Sequence, residues 1–143
     1  MPPAPDPVPP IETVVETAIY MTDLDAAEWF YADVLGLPLL GRDAERHMFF
    51  RVGAASVLLI FNPQTTIRGG DLPAHGTTGP GHFALGIRPG TLDDWRRHLG
   101  ASGVAIEREV SWPRGGHSLY FRDPAGNAVE LVTPGVWGTP AGW

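Results

Sequence analysis

The chain contains no cysteine and no lysine. The first absence excludes disulfides and thiolate metal sites, and it suits a reducing compartment such as the cytoplasm. The second leaves arginine as the whole basic complement, ten residues in all. These form no stripe of the kind that neutralises a phosphate backbone, so no nucleic-acid partner is expected. No apolar run approaches the roughly 18 residues that a helix needs to span a bilayer, and no membrane partner is expected. The opening stretch MPPAPDPVPP has neither the basic region nor the apolar centre of a secretory signal. Its proline density predicts a disordered tail over residues 1–10. A formal net charge of −6 with 43% hydrophobic residues describes a soluble, mildly acidic protein.

What is present is a repeated pattern. Residues 11–135 read as one domain, with a first module over 13–63, a linker loop over 64–80, a second module over 81–134 and a C-terminal tail over 136–143. TVVETAIYM is β-rich, with Val14, Glu16, Ala18 and Tyr20 on one strand face. TDLDAAEWFYADVLGL follows with helical spacing, a capping residue at Thr22 or Asp23 and a stop at Gly36. Short strands then surround Leu39, Met48–Val52 and Ser56–Phe61. After the glycine-rich linker the order restarts: GHFALGI as strand, TLDDWRRHLGASGV as helix, VAIEREV as strand, and a hairpin of HSLYFRD and NAVELVT around Asp-Pro-Ala-Gly. A module of this size scarcely buries a core alone, so the two are expected to combine their sheets.

The closing stretch YFRDPAGNAVELVTP has a worn copy in FFRVGAASVLLIFNP, residues 49–63. Laid together they pair Phe50 with Phe121, Arg51 with Arg122 and Pro63 with Pro134, but set Leu59 against Glu130. The first strands of the two modules likewise set Glu16 against His82. Four equivalent positions therefore hold Glu, Leu, His and Glu.

With these segments in this order, residues 13–134 resemble the vicinal oxygen chelate superfamily, which includes glyoxalase I, bleomycin-resistance proteins and extradiol dioxygenases. The resemblance implies an α+β fold, two βαβββ modules forming a curved mixed sheet around a cleft. It also implies one divalent metal ion, bound at the start of the first strand and in the last strand of each module. Carried over by position, the ligands are Glu16, His82 and Glu130, with Leu59 in the fourth place. Leucine cannot ligate, which disfavours glyoxalase I itself. The resemblance further matches Tyr120 to an active-site tyrosine of extradiol dioxygenases. That match breaks where those enzymes have an upstream histidine and this chain has SWPR.

The residue types suit such a site. Two carboxylates brought together in a partly dry cleft repel, and a cation removes the conflict. Neutral His82 adds a ligand without adding charge, giving a set that fits Fe, Mn, Ni, Co or Zn. Three protein ligands leave open coordination positions, as catalysis requires and structural sites do not. The residues also have plainer readings. Glu16 alone is an exposed strand carboxylate, and His82 alone a packed histidine. Glu130 is the strongest, because AVELV otherwise reads as buried and a buried glutamate needs a partner. Tyr120 and Glu130 are the catalytic candidates, and His117, Trp112 and Leu59 the substrate-binding ones. His117 and Tyr120 fall on opposite faces of one strand, so at most one enters the cleft. Among the rest, His47 reads as surface, His75 as linker, His98 as solvated, and Trp29 and Trp95 as core. Arg51 and Arg122 would hold an anionic substrate or, as the plainer reading, each other's turns through Asp123.

Two functions compete. One is a metal-dependent lyase, isomerase or extradiol-type dioxygenase that binds a small substrate through oxygen and passes through a metal-stabilised oxyanion. The other is a metal-free, bleomycin-resistance-like protein that sequesters cationic drugs in an acidic, aromatic-lined cleft. Both are expected as homodimers. A third reading, a scaffold that kept the fold without the chemistry, is hinted at by Leu59.

Overall fold

The computed structural model describes residue 1, residues 8–140 and residues 142–143; most of the expected N-terminal tail, residues 2–7, lies outside the described residues. Among the described residues, eight strands and two helices repeat one pattern twice. The first module runs β1 (Glu16–Tyr20), α1 (Leu24–Glu28, extended by a π-helical turn over Trp29–Val34), β2 (Leu39–Asp43), β3 (His47–Val52) and β4 (Ser56–Phe61). A single helical turn, α2 (Pro63–Thr66), opens the linker. The second module runs β5 (His82–Gly86), α3 (Leu92–Ala101), β6 (Arg108–Ser111), β7 (His117–Arg122) and β8 (Ala128–Val132). No described helix is long and apolar enough to cross a membrane.

Each module folds into a four-stranded mixed sheet, ordered β1-β4-β3-β2 and β5-β8-β7-β6. The first strand lies parallel to the last, which requires the crossover that α1 or α3 supplies. The registers repeat as well: Glu16 pairs with Val57 and Ala18 with Leu59, while His82 pairs with Ala128 and Ala84 with Glu130. Glu16 and His82 are thus equivalent in the ladder, and so are Leu59 and Glu130.

The two halves share one core but not one ladder. Ile19, Met48, Phe50, Leu58 and Ile60 of the first sheet are buried together with Phe83, Leu119, Phe121, Val129 and Leu131 of the second. Between them lies α1. Asp23 caps it by accepting from Ala26 N at 3.0 Å, and Leu35 N bonds Phe30 O at 3.0 Å across the wider π turn. That turn carries the adjacent Phe30 and Tyr31, both buried, where an ordinary helix was expected. Phe30 meets Phe121, and Tyr31 meets both Phe50 and Phe83. The strand expected over VAIEREV begins only at Arg108, because Val104 and Ile106 pack on the core and Val104 N closes the helix end on Leu99 O.

A buried carboxylate fastens the halves. Asp123, at the head of the Asp-Pro-Ala-Gly turn, accepts from Ala125 N and Asn127 N within the turn, from Asn127 Nδ2, and from the Tyr31 hydroxyl of the first module at 2.8 Å. Asn127 in turn accepts from Gly81 N at 2.7 Å and donates to Tyr20 O. Burial first, and then the Asp123 charge, holds the Tyr31 phenol well above its ordinary range. Two sequence expectations change here. Arg122 bonds Glu107 and Gly126 O rather than Asp123, and His98 donates through Nε2 to Val34 O at 2.6 Å, bridging the helices instead of standing in solvent.

Removing either end of this link has a defined cost. Tyr31→Phe leaves one Asp123 oxygen short of a donor and should lower unfolding free energy by about 1–3 kcal/mol. Asp123→Ala leaves several buried donors unpaired and should cost more, about 3–5 kcal/mol. Urea unfolding checks both; values within about 0.5 kcal/mol of the native protein would contradict the assignment.

Candidate functional site

With one face of each sheet committed to the core, the chemistry falls on the other. Strand alternation puts His82, Ala84 and Gly86 of β5, Ala128, Glu130 and Val132 of β8, and Ser118 and Tyr120 of β7 on that face of the second sheet. His82 is exposed, and its Nδ1 lies 3.0 Å from Ala128 O. A carbonyl only accepts, so Nδ1 carries a proton, and in the neutral ring Nε2 is the nitrogen with the lone pair. This is the arrangement in which histidine meets a cation or accepts a proton. The His82 ring stacks at 6.1 Å on Tyr120, which lies directly across the ladder from Glu130. Burial, followed by the Glu130 carboxylate, pushes the Tyr120 phenol up to about 12. Glu130 is 8% exposed, a carboxylate seated between apolar strand neighbours. One row along, the Trp112 indole donates to Ser118 Oγ at 2.7 Å, and the Trp143 ring lies against Gly86, where any Cβ would collide with it.

The corresponding face of the first sheet carries Glu16, Ala18 and Tyr20 of β1, Val57, Leu59 and Phe61 of β4, and His47 and Phe49 of β3. All of these but His47 form the floor of a cleft of about 790 Å³, which Arg46 and His75 also line. His75 is no idle linker residue: its Nδ1 meets the Tyr20 hydroxyl at 2.8 Å and its ring packs edge-on against Phe61 at 4.7 Å.

Three of the expected site residues, His82, Tyr120 and Glu130, are therefore neighbours, while Glu16 and Leu59 occupy the equivalent face of the other module. Among the described residues, no three His, Asp or Glu side chains of a single chain group closely enough to hold one cation. His117 leaves the candidate list. It points to the helix side of its sheet, where Nε2 meets Glu109 at 2.7 Å and Nδ1 meets Ser111 Oγ at 2.8 Å. Glu109 also pairs with Arg96 of α3, and these contacts, Arg96 foremost, hold its carboxyl down at about 2. Trp112 stays on the candidate face through Ser118. Sequence reasoning passed over Arg46, which lies in a turn where no strand periodicity marks its direction, and Ser118, which the notional hairpin left without a role.

A family model described as the Glyoxalase/Bleomycin resistance protein/Dioxygenase superfamily matches residues 13–131. The chain belongs to this superfamily. Among solved structures it is similar to a lactoylglutathione lyase from Agrobacterium tumefaciens at 39% identity and a TM-score of 0.85, covering 90% of this chain and 98% of that one. It shares the fold of a glyoxalase/dioxygenase from Nostoc punctiforme at 24% identity and a TM-score of 0.64, over 85% of this chain and 90% of that one. The same holds for a glyoxalase/bleomycin resistance protein/dioxygenase from Nocardioides at 21% identity and a TM-score of 0.69, over 95% and 91%. No curated protein matches the chain. The superfamily's α+β fold is the one described above, with the two sheets left open rather than closed on each other.

The raised Tyr120 phenol gives a pH signature. Its protonated form is favoured in the folded protein, so its contribution to stability is complete below the free-tyrosine range near 10 and is lost as pH rises toward 12. Ultraviolet titration of the native protein minus Tyr120→Phe should show one phenol ionising at about 12; a difference curve centred near 10 would contradict the coupling to Glu130.

Proposed function

We propose that the protein is a divalent-metal-dependent enzyme of the glyoxalase/dioxygenase type, acting on a small substrate that binds through oxygen. Glu16, His82 and Glu130 would hold the ion, Glu16 from one copy of the chain and His82 with Glu130 from a second, in a homodimer. The observation that carries this reading is His82: its Nδ1–H is fixed on Ala128 O, so that in the neutral ring Nε2 is the nitrogen with the lone pair, on the same face as Glu130. When bound, the metal supplies a Lewis acid that polarises a carbonyl or enolate oxygen.

The chain's own residues do the rest. The Tyr120 phenol, held at about 12, keeps its proton at neutral pH and would therefore donate a hydrogen bond to a developing oxyanion rather than act as a base. Glu130 would double as the base by leaving the ion and taking a proton from the carbon beside the substrate carbonyl. Trp112 lines the site one row away. With His117 on the opposite side of its sheet, the histidine nearest Tyr120 along β7 is withdrawn from ring-cleaving oxygenation, and lyase or isomerase chemistry is preferred. The similarity to the Agrobacterium protein supports an enzyme of this kind. Leu59, in the place of a fourth ligand, argues against transferring the reaction for which that protein is named.

A second reading, metal-free binding of a small molecule, draws support from the apolar first-sheet cleft around Leu59, Phe49 and Phe61. Metal analysis of untagged protein separates the two. The enzyme reading predicts stoichiometric metal in the native protein, and a loss of affinity of at least about 100-fold in both His82→Ala and Glu130→Gln. Native protein free of metal after reconstitution would sink it and favour simple binding.

A further inference from the structure

The first-sheet cleft is polarised along its length. Glu16 stands at one end, in the row with Val57; Ala18, Leu59 and Phe49 form the middle row; Tyr20, Phe61 and His47 form the third. Four residue rises along the strand set Tyr20 about 13 Å from Glu16. The middle is apolar, and nothing in it would reward a polar ligand.

At the far end lies Arg46. Its guanidinium sits 5.3 Å from the Phe61 ring centroid, and Nη1 donates to His47 Nδ1 at 2.9 Å. Burial, together with the adjacent Arg46 charge, keeps His47 below its ordinary range, so the ring is neutral and accepts this bond. His47 is itself held flat on Phe49, with ring centroids 4.1 Å apart. Arg46 is thus aimed by its neighbours, is partly buried, and among the described residues has no carboxylate partner in an ion pair. A guanidinium taken partly out of water without an ion-paired carboxylate, Asp71 lining the small pocket on its other side, gains from an anion that arrives with the ligand.

We propose that this cleft binds an elongated organic anion, with a ring-sized apolar body on Leu59, Phe49 and Phe61 and a carboxylate or sulfonate at Arg46. The oxygen-bearing head of such a ligand points toward Glu16, and only for that head does the inference rest on the metal reading above. The same geometry opposes a cationic drug, whose charge would meet Arg46.

Two dyes of nearly the same shape test it. Anilinonaphthalene sulfonate carries the anion, and N-phenyl-naphthylamine lacks it. In metal-free buffer the full-length protein should bind the sulfonate at least about tenfold more tightly than the neutral dye, by fluorescence titration. Arg46→Met should abolish that preference and Arg46→Lys retain part of it, with thermal melting confirming that both variants fold. Leu59→Asp should weaken both dyes. Equal binding of the two dyes, no binding of either, or a preference that survives Arg46→Met would overturn the proposal. Metal content measured on the same samples keeps the two hypotheses apart. An anion preference in protein that takes up no metal supports the cleft and sinks only the metal reading; stoichiometric metal without an anion preference sinks only the cleft.

Discussion

Tyr31 is the residue through which the two halves of the molecule become one. Its ring packs between Phe50 of the first sheet and Phe83 of the second, and its hydroxyl donates to the buried Asp123. An aromatic core shared in this way takes one face of each sheet. Everything with chemical potential is then left to the opposite faces, where strand alternation presents Glu16 and Leu59 on one sheet and His82 and Glu130 on the other. The position of the site follows from the position of the core.

Repetition followed by divergence explains what those faces look like. The ladders superpose residue for residue, yet one face became apolar around Leu59 and the other polar around Glu130. The second face has the features of a reacting surface: an imidazole with one nitrogen fixed and one free, a phenol kept protonated, and a carboxylate set among apolar neighbours. The first face has those of a recognising surface, with an apolar floor, an aromatic end and a guanidinium over a ring. On the proposed reading a second copy of the chain brings the two kinds of face together, so that each site joins one recognising face to one reacting face.

The parts legible in the sequence were those determined over short distances. The Asp-Pro-Ala-Gly turn, the capped first helix and the equivalence of Leu59 with Glu130 are each written in a few neighbouring residues or in the internal copy. Strand alternation was enough to separate His117 from Tyr120. What escaped was determined by partners far along the chain. His98 reads as a solvated helix residue until the other module brings Val34 O to it. His75 reads as linker until the loop folds back onto Tyr20 and Phe61. The π turn answers the need to bury two adjacent aromatic residues, a need that comes from the second sheet and leaves no periodic mark. Arg46 lies in a turn, where direction depends on the rings it lands on.

Mixing two defective chains tests the central claim most directly. Glu16→Gln and Glu130→Gln homodimers each lack one proposed ligand at both sites. If each site draws Glu16 from one chain and Glu130 from the other, a mixed dimer carries both defects at one site and an intact set at its second. Subunit exchange between the two variants should therefore restore tight metal binding, which calorimetry on the separated mixed dimer would record at one site per dimer. Mixed dimers that bind no better than either parent would contradict a site shared between copies.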